Sequence, residues 1–190
     1  MKERDRDAAI ALWREHNDDE SLFRHALSVE ACMRHFARKA GEDEDFWGCV
    51  GLLHDVDYGR HPEEHLKVAP GLLEAAGYGP DFVRAVLAHG WGLCADVEPV
   101  AYMEKVLYAV DELTGFVAAC CYVRPSRSVL DLEVSSVKKK WKTAAFAAGV
   151  NREVVAKGAA LLGMELDALV AEVIAALRPV AAETGLKGTL

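Results

Sequence analysis

Apolar residues recur along this 190-residue chain at the three- and four-residue spacing of helices, and no run of useful length alternates as a strand would. Ala8, Ala9, Leu12 and Trp13 mark a first amphipathic helix, about Asp5 to His16, expected to pack as a lid. Asn17-Asp18-Asp19 offers an N-cap for a second, Glu20 to about Ala40, whose Leu22, Ala26, Val29, Met33, Phe36 and Ala37 form one stripe. Gly41-Glu42-Asp43 breaks that helix. The following run, Phe46 to Leu53, is too apolar for a surface helix, and Gly48 and Gly51 inside it would let a neighbouring helix approach closely. It ends in an adjacent pair, His54-Asp55, and a polar loop from Asp57 to Pro62 follows. Pro62-Glu63-Glu64 has the composition of a helix start, but Pro70 interrupts the segment, so His65 is expected on a short turn. Leu72, Leu73 and Ala76 continue helically to Gly77-Tyr78-Gly79-Pro80, and a further helix runs from Asp81 to His89, ended by Gly90.

After a loop from Trp91 to Glu98, Pro99 opens a long helix, Val100 to about Val123. Val106, Leu107, Val110, Leu113 and Val117 give its apolar side, while Glu104, Tyr108 and Asp111 form a polar stripe that period alone allows to face water. Arg124-Pro125-Ser126-Arg127-Ser128 breaks it. Val134 to Phe146 carries Lys138, Lys139, Lys140 and Lys142 around Trp141. Asn151 caps a helix from Arg152 to Leu162, Gly163 separates it from a last one over Leu166 to Glu183, and the tail from Thr184 is expected to fray. The pattern predicts an all-α protein with an N-terminal helix (1–17), a helical core (18–123) and a C-terminal helical extension (124–190) that covers or shapes the pocket.

Composition narrows the function classes. At 52% apolar the chain can build a real core, and a net charge of −8 argues against a protein that coats DNA while leaving room for a local basic patch to bind a phosphorylated small molecule. Of the five cysteines none forms a C-x-x-C pair and four lie in apolar helical patterns, which reads as reduced core thiols. The first residues are charged and no later stretch has the apolar length of a membrane span, so a soluble cytoplasmic protein is expected.

The chemistry centres on His54-Asp55. A buried imidazole beside a buried carboxylate is costly unless the two are paired, hydrogen-bonded or bound to a cation. Alone, the pair is equally a helix C-terminus whose histidine complements the dipole while the aspartate starts a turn, so its meaning depends on partners elsewhere. His25 lies in the first turns of the second helix; His35, ten residues on, is roughly 80° around it and does not readily share one ion with His25. His89 shares a face with Phe82, Ala85 and Val86, an apolar setting that asks for a reason. The Lys138 to Lys142 cluster is by default a solvated face; with Arg124 and Arg127 it would instead neutralise a substrate phosphate, Lys138, Lys139 and Lys142 being the candidates beside Arg124. Trp91, Trp141 and Tyr58 either stack a base or pack.

His25, His54-Asp55 and Asp111, drawn from three predicted helices, resemble the H…HD…D signature of the HD superfamily of metal-dependent phosphohydrolases, and His65 and His89 match the extra histidines of its branches that hold a second metal. Beyond these ligands, Arg24 to Glu30, Leu53 to Tyr58, Tyr108 to Gly115, Val123-Arg124-Pro125, Ser136 to Lys140 and Phe146 to Val150 are similar to a bacterial and archaeal group of predicted HD hydrolases. Val56-Asp57 stands where the HDIG form has isoleucine and glycine, and Pro70 departs from the usual Gly-Ala. The resemblance implies an HD-domain helical bundle holding one ion or two. Imidazole and carboxylate ligands suit Mn, Fe, Co, Ni or Zn better than Ca. The activity implied is hydrolysis of a phosphate ester or anhydride, with a nucleotide or related metabolite as substrate. Asp55 would be the shared carboxylate and would steer the attacking water, with Asp57 as candidate proton shuttle. Two rivals remain: a di-iron oxygenase of the same fold, and a regulatory protein that binds metal or nucleotide without turnover.

Overall fold

The computed structural model describes residues 2–190, and the described residues form helices without strands. In chain order these are α1 (Arg6–His16), α2 (Glu20–Ala40), α3 (Glu44–Leu53), α4 (Ala69–Ala75), α5 (Pro80–Ala88), α6 (Tyr102–Tyr122), α7 (Val134–Trp141), α8 (Arg152–Leu161) and α9 (Leu166–Leu177), with short 3-10 turns at Lys2–Arg4 and Pro62–Glu64. Their starts follow from local chemistry. Asp5, Asp19, Asp43 and Asn151 each accept first-turn backbone N–H groups that the helix itself leaves unpaired. Gly41, at φ 72°, closes α2 in the left-handed conformation.

The most extensive packing is between α2 and α3, and Gly51 contributes to it. A Cβ there would stand 2.8 Å from the Met33 side chain and 3.1 Å from the Glu30 backbone, so the two helices meet nearly backbone to backbone. Helix α6 is the central strut, packed by α2, α5, α7, α8 and α9. Its apolar side is fully buried through Val106, Leu107, Val110, Leu113 and Val117. Gly158 performs on α8 the service that Gly51 performs on α3: its Cβ would fall 2.5 Å from the Ala109 Cα of α6.

Several expectations change. Helix α1 is no lid: Trp13 is fully buried and the helix packs on α3. Pro70 does not interrupt a helix but begins α4, in the first turn where its missing N–H costs nothing. Glu104 and Tyr108 do not face water; both are buried, and Glu104 folds back to accept the Val100 and Ala101 N–H groups. Helix α9 ends at Leu177, short of Glu183. The C-terminal tail is pinned rather than frayed: Thr184 and Leu186 are buried, Val129 N–H donates to the Leu186 carbonyl and Thr189 N–H to that of Ser126. The four cysteines on helices, Cys32, Cys49, Cys120 and Cys121, are buried and free, and Cys94 is exposed. Among the described residues no helix is long and apolar enough to cross a membrane.

The same substitution should act with opposite sign at two glycines. Gly158→Ala forces the Ala109 backbone away and is expected to destabilise by about 1–3 kcal/mol. Gly71→Ala, in α4 with nothing near its Cβ, should be neutral or stabilise by about 0.5–1 kcal/mol. Urea unfolding of the two variants measures both.

Candidate metal centre

Six side chains from different segments converge between the ends of α2, α3 and α5 and the middle of α6. His54 and His89 arrive by one local device. Each is the C-cap of its helix, and each turns its ring back on the carbonyl three residues earlier: Nδ1 lies 2.7 Å from the Gly51 oxygen in the first case and 2.6 Å from the Val86 oxygen in the second. A carbonyl only accepts, so Nδ1 carries a proton in both rings and Nε2 is the nitrogen left to meet a cation, whether a proton or a metal ion. His65 donates from Nδ1 to Asp57 Oδ1 at 2.8 Å. At His25, Thr114 gives its hydroxyl proton to the Asp111 carbonyl at 2.8 Å, which leaves the hydroxyl oxygen to accept from His25 Nδ1 at 3.3 Å. All four imidazoles are thus anchored through Nδ1, with Nε2 turned into the cluster.

The inward nitrogens stand in pairs. His25 and His54 Nε2 are 3.2 Å apart, as are His65 and His89 Nε2. Two acceptors aimed at each other need a positive charge between them. Asp55, 9% exposed, stands between the pairs and divides its oxygens: Oδ2 is 3.3 Å from His54 and 3.9 Å from His25, Oδ1 is 3.4 Å from His65 and 3.5 Å from His89. Asp111 Oδ1 completes the first pair, 2.9 Å from His25 and 3.3 Å from His54. In each of the trios His25–His54–Asp55 and Asp55–His65–His89, one donor atom per residue lies within 4.8 Å of the others. Ligands at right angles on an ion, each about 2.0–2.1 Å from it, lie about 3 Å apart, so the donor set fits divalent transition ions.

Electrostatics says the same. Burial alone would discharge His54, but Asp55 and Asp111 outweigh it and raise its pKa well above the ordinary imidazole value. Burial would likewise raise both carboxyls; instead the His54 charge, with hydrogen bonds from His54 and His89 on Asp55 and from His25 and His54 on Asp111, holds them well below the usual range. The cluster favours cations at its Nε2 atoms.

The surrounding segments fix this geometry. Asn17, at the end of α1 and buried, donates to the Trp13 and Val56 carbonyls at 3.2 and 2.8 Å and accepts the Gly59 N–H at 2.8 Å, which clamps the loop that follows Asp55. Leu66 is held at φ 64°, an uncommon conformation for a branched side chain, immediately after His65. The open side is a cleft of about 400 Å³ with Leu22, Tyr58, Leu93, Cys94, Glu112, Gly115, Gly149, Val150 and Val154 around the cluster.

Residues 22–114 match the family model described as HD domain, a span that contains all six side chains. Residues 22–114 form an HD domain, the domain of the HD superfamily. HD domains bind divalent metals and are generally those of metal-dependent hydrolases. No curated protein and no solved structure matches the chain.

Against the HD frame, the expected site residues separate into two groups. His25, His54, Asp55, His65, His89 and Asp111 are brought together. Asp57, expected as a proton shuttle, is fully buried behind His65; its Oδ2 accepts the Leu66 and Ala69 N–H groups at 2.8 and 2.9 Å and its Oδ1 holds His65, so it does not face the cleft. Arg124, Lys138, Lys139 and Lys142, expected to meet a phosphate, do not line the cleft. Arg124 pairs with Asp131 at 2.9 Å and Lys138 with Asp167 of α9. His35 stands apart, 2.6 Å from Glu172 of α9. Sequence reasoning missed Asn17 and Thr114, whose roles depend on contacts across helices, and Glu112, the acidic neighbour of Asp111 whose Oε2 accepts the Asn151 N–H at 3.1 Å.

Asp57→Asn keeps an acceptor for the Leu66 and Ala69 amides but turns an amide donor toward His65 Nδ1. The ring must then carry its proton on Nε2, facing the cluster. Mn²⁺ binding by calorimetry should weaken about 10–100-fold; unchanged affinity would mean that the tautomer of His65 is irrelevant to binding.

Proposed function

We propose that the cluster holds two divalent transition ions sharing Asp55, one with His25, His54 and Asp111, the other with His65 and His89, and that the protein hydrolyses a phosphate ester or anhydride of a nucleotide or related metabolite. The observation that carries this is the division of Asp55, one oxygen to each histidine pair. When bound, such ions supply Lewis acidity to a phosphate oxygen and make water acidic enough to attack phosphorus at neutral pH.

The chain's own residues do the rest. Four imidazoles, fixed by their Nδ1 partners, hold their Nε2 atoms in place without reorganisation. Asp55 has carboxylate lone pairs beyond those turned to the histidines, and these orient the attacking water. Asp57 is a positioning residue that acts through His65. Leu22, Leu93, Val150 and Val154 give the cleft apolar walls that limit competing water. Residues 18–123 then form the metal-binding core, and 124–190 an extension whose Gly149, Val150 and Val154 complete the substrate cleft.

The two-trio arrangement also serves a di-iron oxygenase, which the same donor set would suit. Iron content with dioxygen uptake and no phosphate release would favour that reading. Bound nucleotide without turnover would favour a regulatory role.

The test is phosphate release from a panel of nucleotides and sugar phosphates with Mn²⁺, Co²⁺ or Zn²⁺. Asp55→Asn should lower kcat/KM about a thousandfold or more. Lys138→Ala and Lys139→Ala, outside the cleft, should stay within about twofold of wild type. Absence of phosphate release with every metal would reject hydrolysis; a large loss in the lysine variants would return them to substrate binding.

A further inference from the structure

The cleft around the metal cluster has a charge pattern that bears on which phosphorylated molecules fit it. Among the described residues lining the cleft, none is lysine or arginine, and the acidic ones are Asp55, Asp111 and Glu112. Lys157, one turn beyond Val154 on α8, does not line it either; its Nζ is held 3.2 Å from the centroid of the Trp91 ring. Two divalent ions would leave the cleft slightly positive, enough for one phosphate group. Any further anionic group on the substrate would lie among apolar side chains and Glu112 with no cation to meet it.

Glu112 is not a stray surface acid. Its Oε2 is tied to the Asn151 N–H at 3.1 Å, which joins the residue after Asp111 to the N-cap of α8 and places the carboxylate on the cleft wall beside Gly149 and Val150. That hydrogen bond fixes the side chain, and Oε1 remains to accept from a ligand. The neighbouring surfaces are Leu22, Tyr58, Leu93, Val150 and Val154, suited to an uncharged organic moiety.

We propose that Glu112 is a specificity-determining residue. It accepts a hydroxyl of the substrate's leaving group and repels anionic ones, so the preferred substrate is a phosphate monoester of an uncharged, hydroxyl-bearing compound such as a nucleoside or polyol. Polyphosphates and phosphorylated carboxylic acids are disfavoured. This rests on the phosphohydrolase reading for the word substrate, but the charge preference is a binding property and is measured without turnover.

The experiment uses two phosphonates that cannot be hydrolysed: 2-hydroxyethylphosphonate, with a neutral hydroxyl arm, and phosphonoacetate, with a carboxylate arm. Each is titrated calorimetrically into the Mn²⁺-loaded full chain, wild type and Glu112→Gln. The glutamine keeps an oxygen for the Asn151 N–H, so the variant retains the fold and loses the charge. Wild type should bind the hydroxyl compound at least about tenfold more tightly, and Glu112→Gln should narrow the difference to about twofold. In parallel, kcat/KM should favour glycerol 3-phosphate over 3-phosphoglycerate in wild type and lose most of that preference in the variant. Equal or tighter phosphonoacetate binding by wild type, or a gap that Glu112→Gln leaves unchanged, overturns the proposal. Failure to hydrolyse either ester would count against phosphohydrolysis alone, since the phosphonate ratio would still decide the role of Glu112.

Discussion

Two carboxylates, Asp55 and Asp111, stand among four imidazoles inside a helical core, and that arrangement persists only where positive charge is held between them. The constraint reaches outward through the back of each ring. Every Nδ1 has an acceptor: the carbonyls at the ends of α3 and α5, the Thr114 hydroxyl on α6 and the Asp57 carboxylate behind the loop. These acceptors come from four segments, so the inward direction of Nε2 is a property of the fold and not of any one helix. Helix ends are useful here because their last carbonyls lack intrahelical partners, and a histidine at the C-cap satisfies one of them while aiming its other nitrogen forward.

The packing of the bundle serves that convergence. Gly51 brings α3 against α2, which sets His54 beside His25. Gly158 brings α8 against α6, which carries the Gly149 to Val154 segment to the rim of the cleft. Asn17 connects the N-terminal helix to the loop after Asp55 through two hydrogen bonds, to Val56 and Gly59, so a helix remote in sequence stabilises the same turn. Site and core thus share their most closely packed contacts.

Much of this was legible in the residues. Amphipathic period and capping residues located the helices because local propensity and tertiary packing agree there, as in α2 with Asp19 at one end and Gly41 at the other. The six clustered side chains were recognisable because their order and spacing resemble a known signature. What escaped has a common physical cause. The Lys138 cluster has a composition suited to phosphate, yet which face of α7 turns to the cleft depends on how α7 packs on α9, and no local pattern encodes that. Asp57 looked like a shuttle from its place beside His54-Asp55, but the tight turn points its carboxylate backward to the Leu66 and Ala69 amides. The C-terminal tail, expected to fray as chain ends do, is instead held by single backbone contacts to residues 126 and 129.

That the Asp55 carboxylate joins two cation sites is decided by the metal content of the full chain after reconstitution with Mn²⁺ or Zn²⁺ and removal of excess ion, compared with Asp55→Ala. Close to two equivalents are expected in the wild type and loss of both in the variant, with helical circular dichroism retained. A wild type that takes up no metal, or an Asp55→Ala protein that retains both ions, would contradict it.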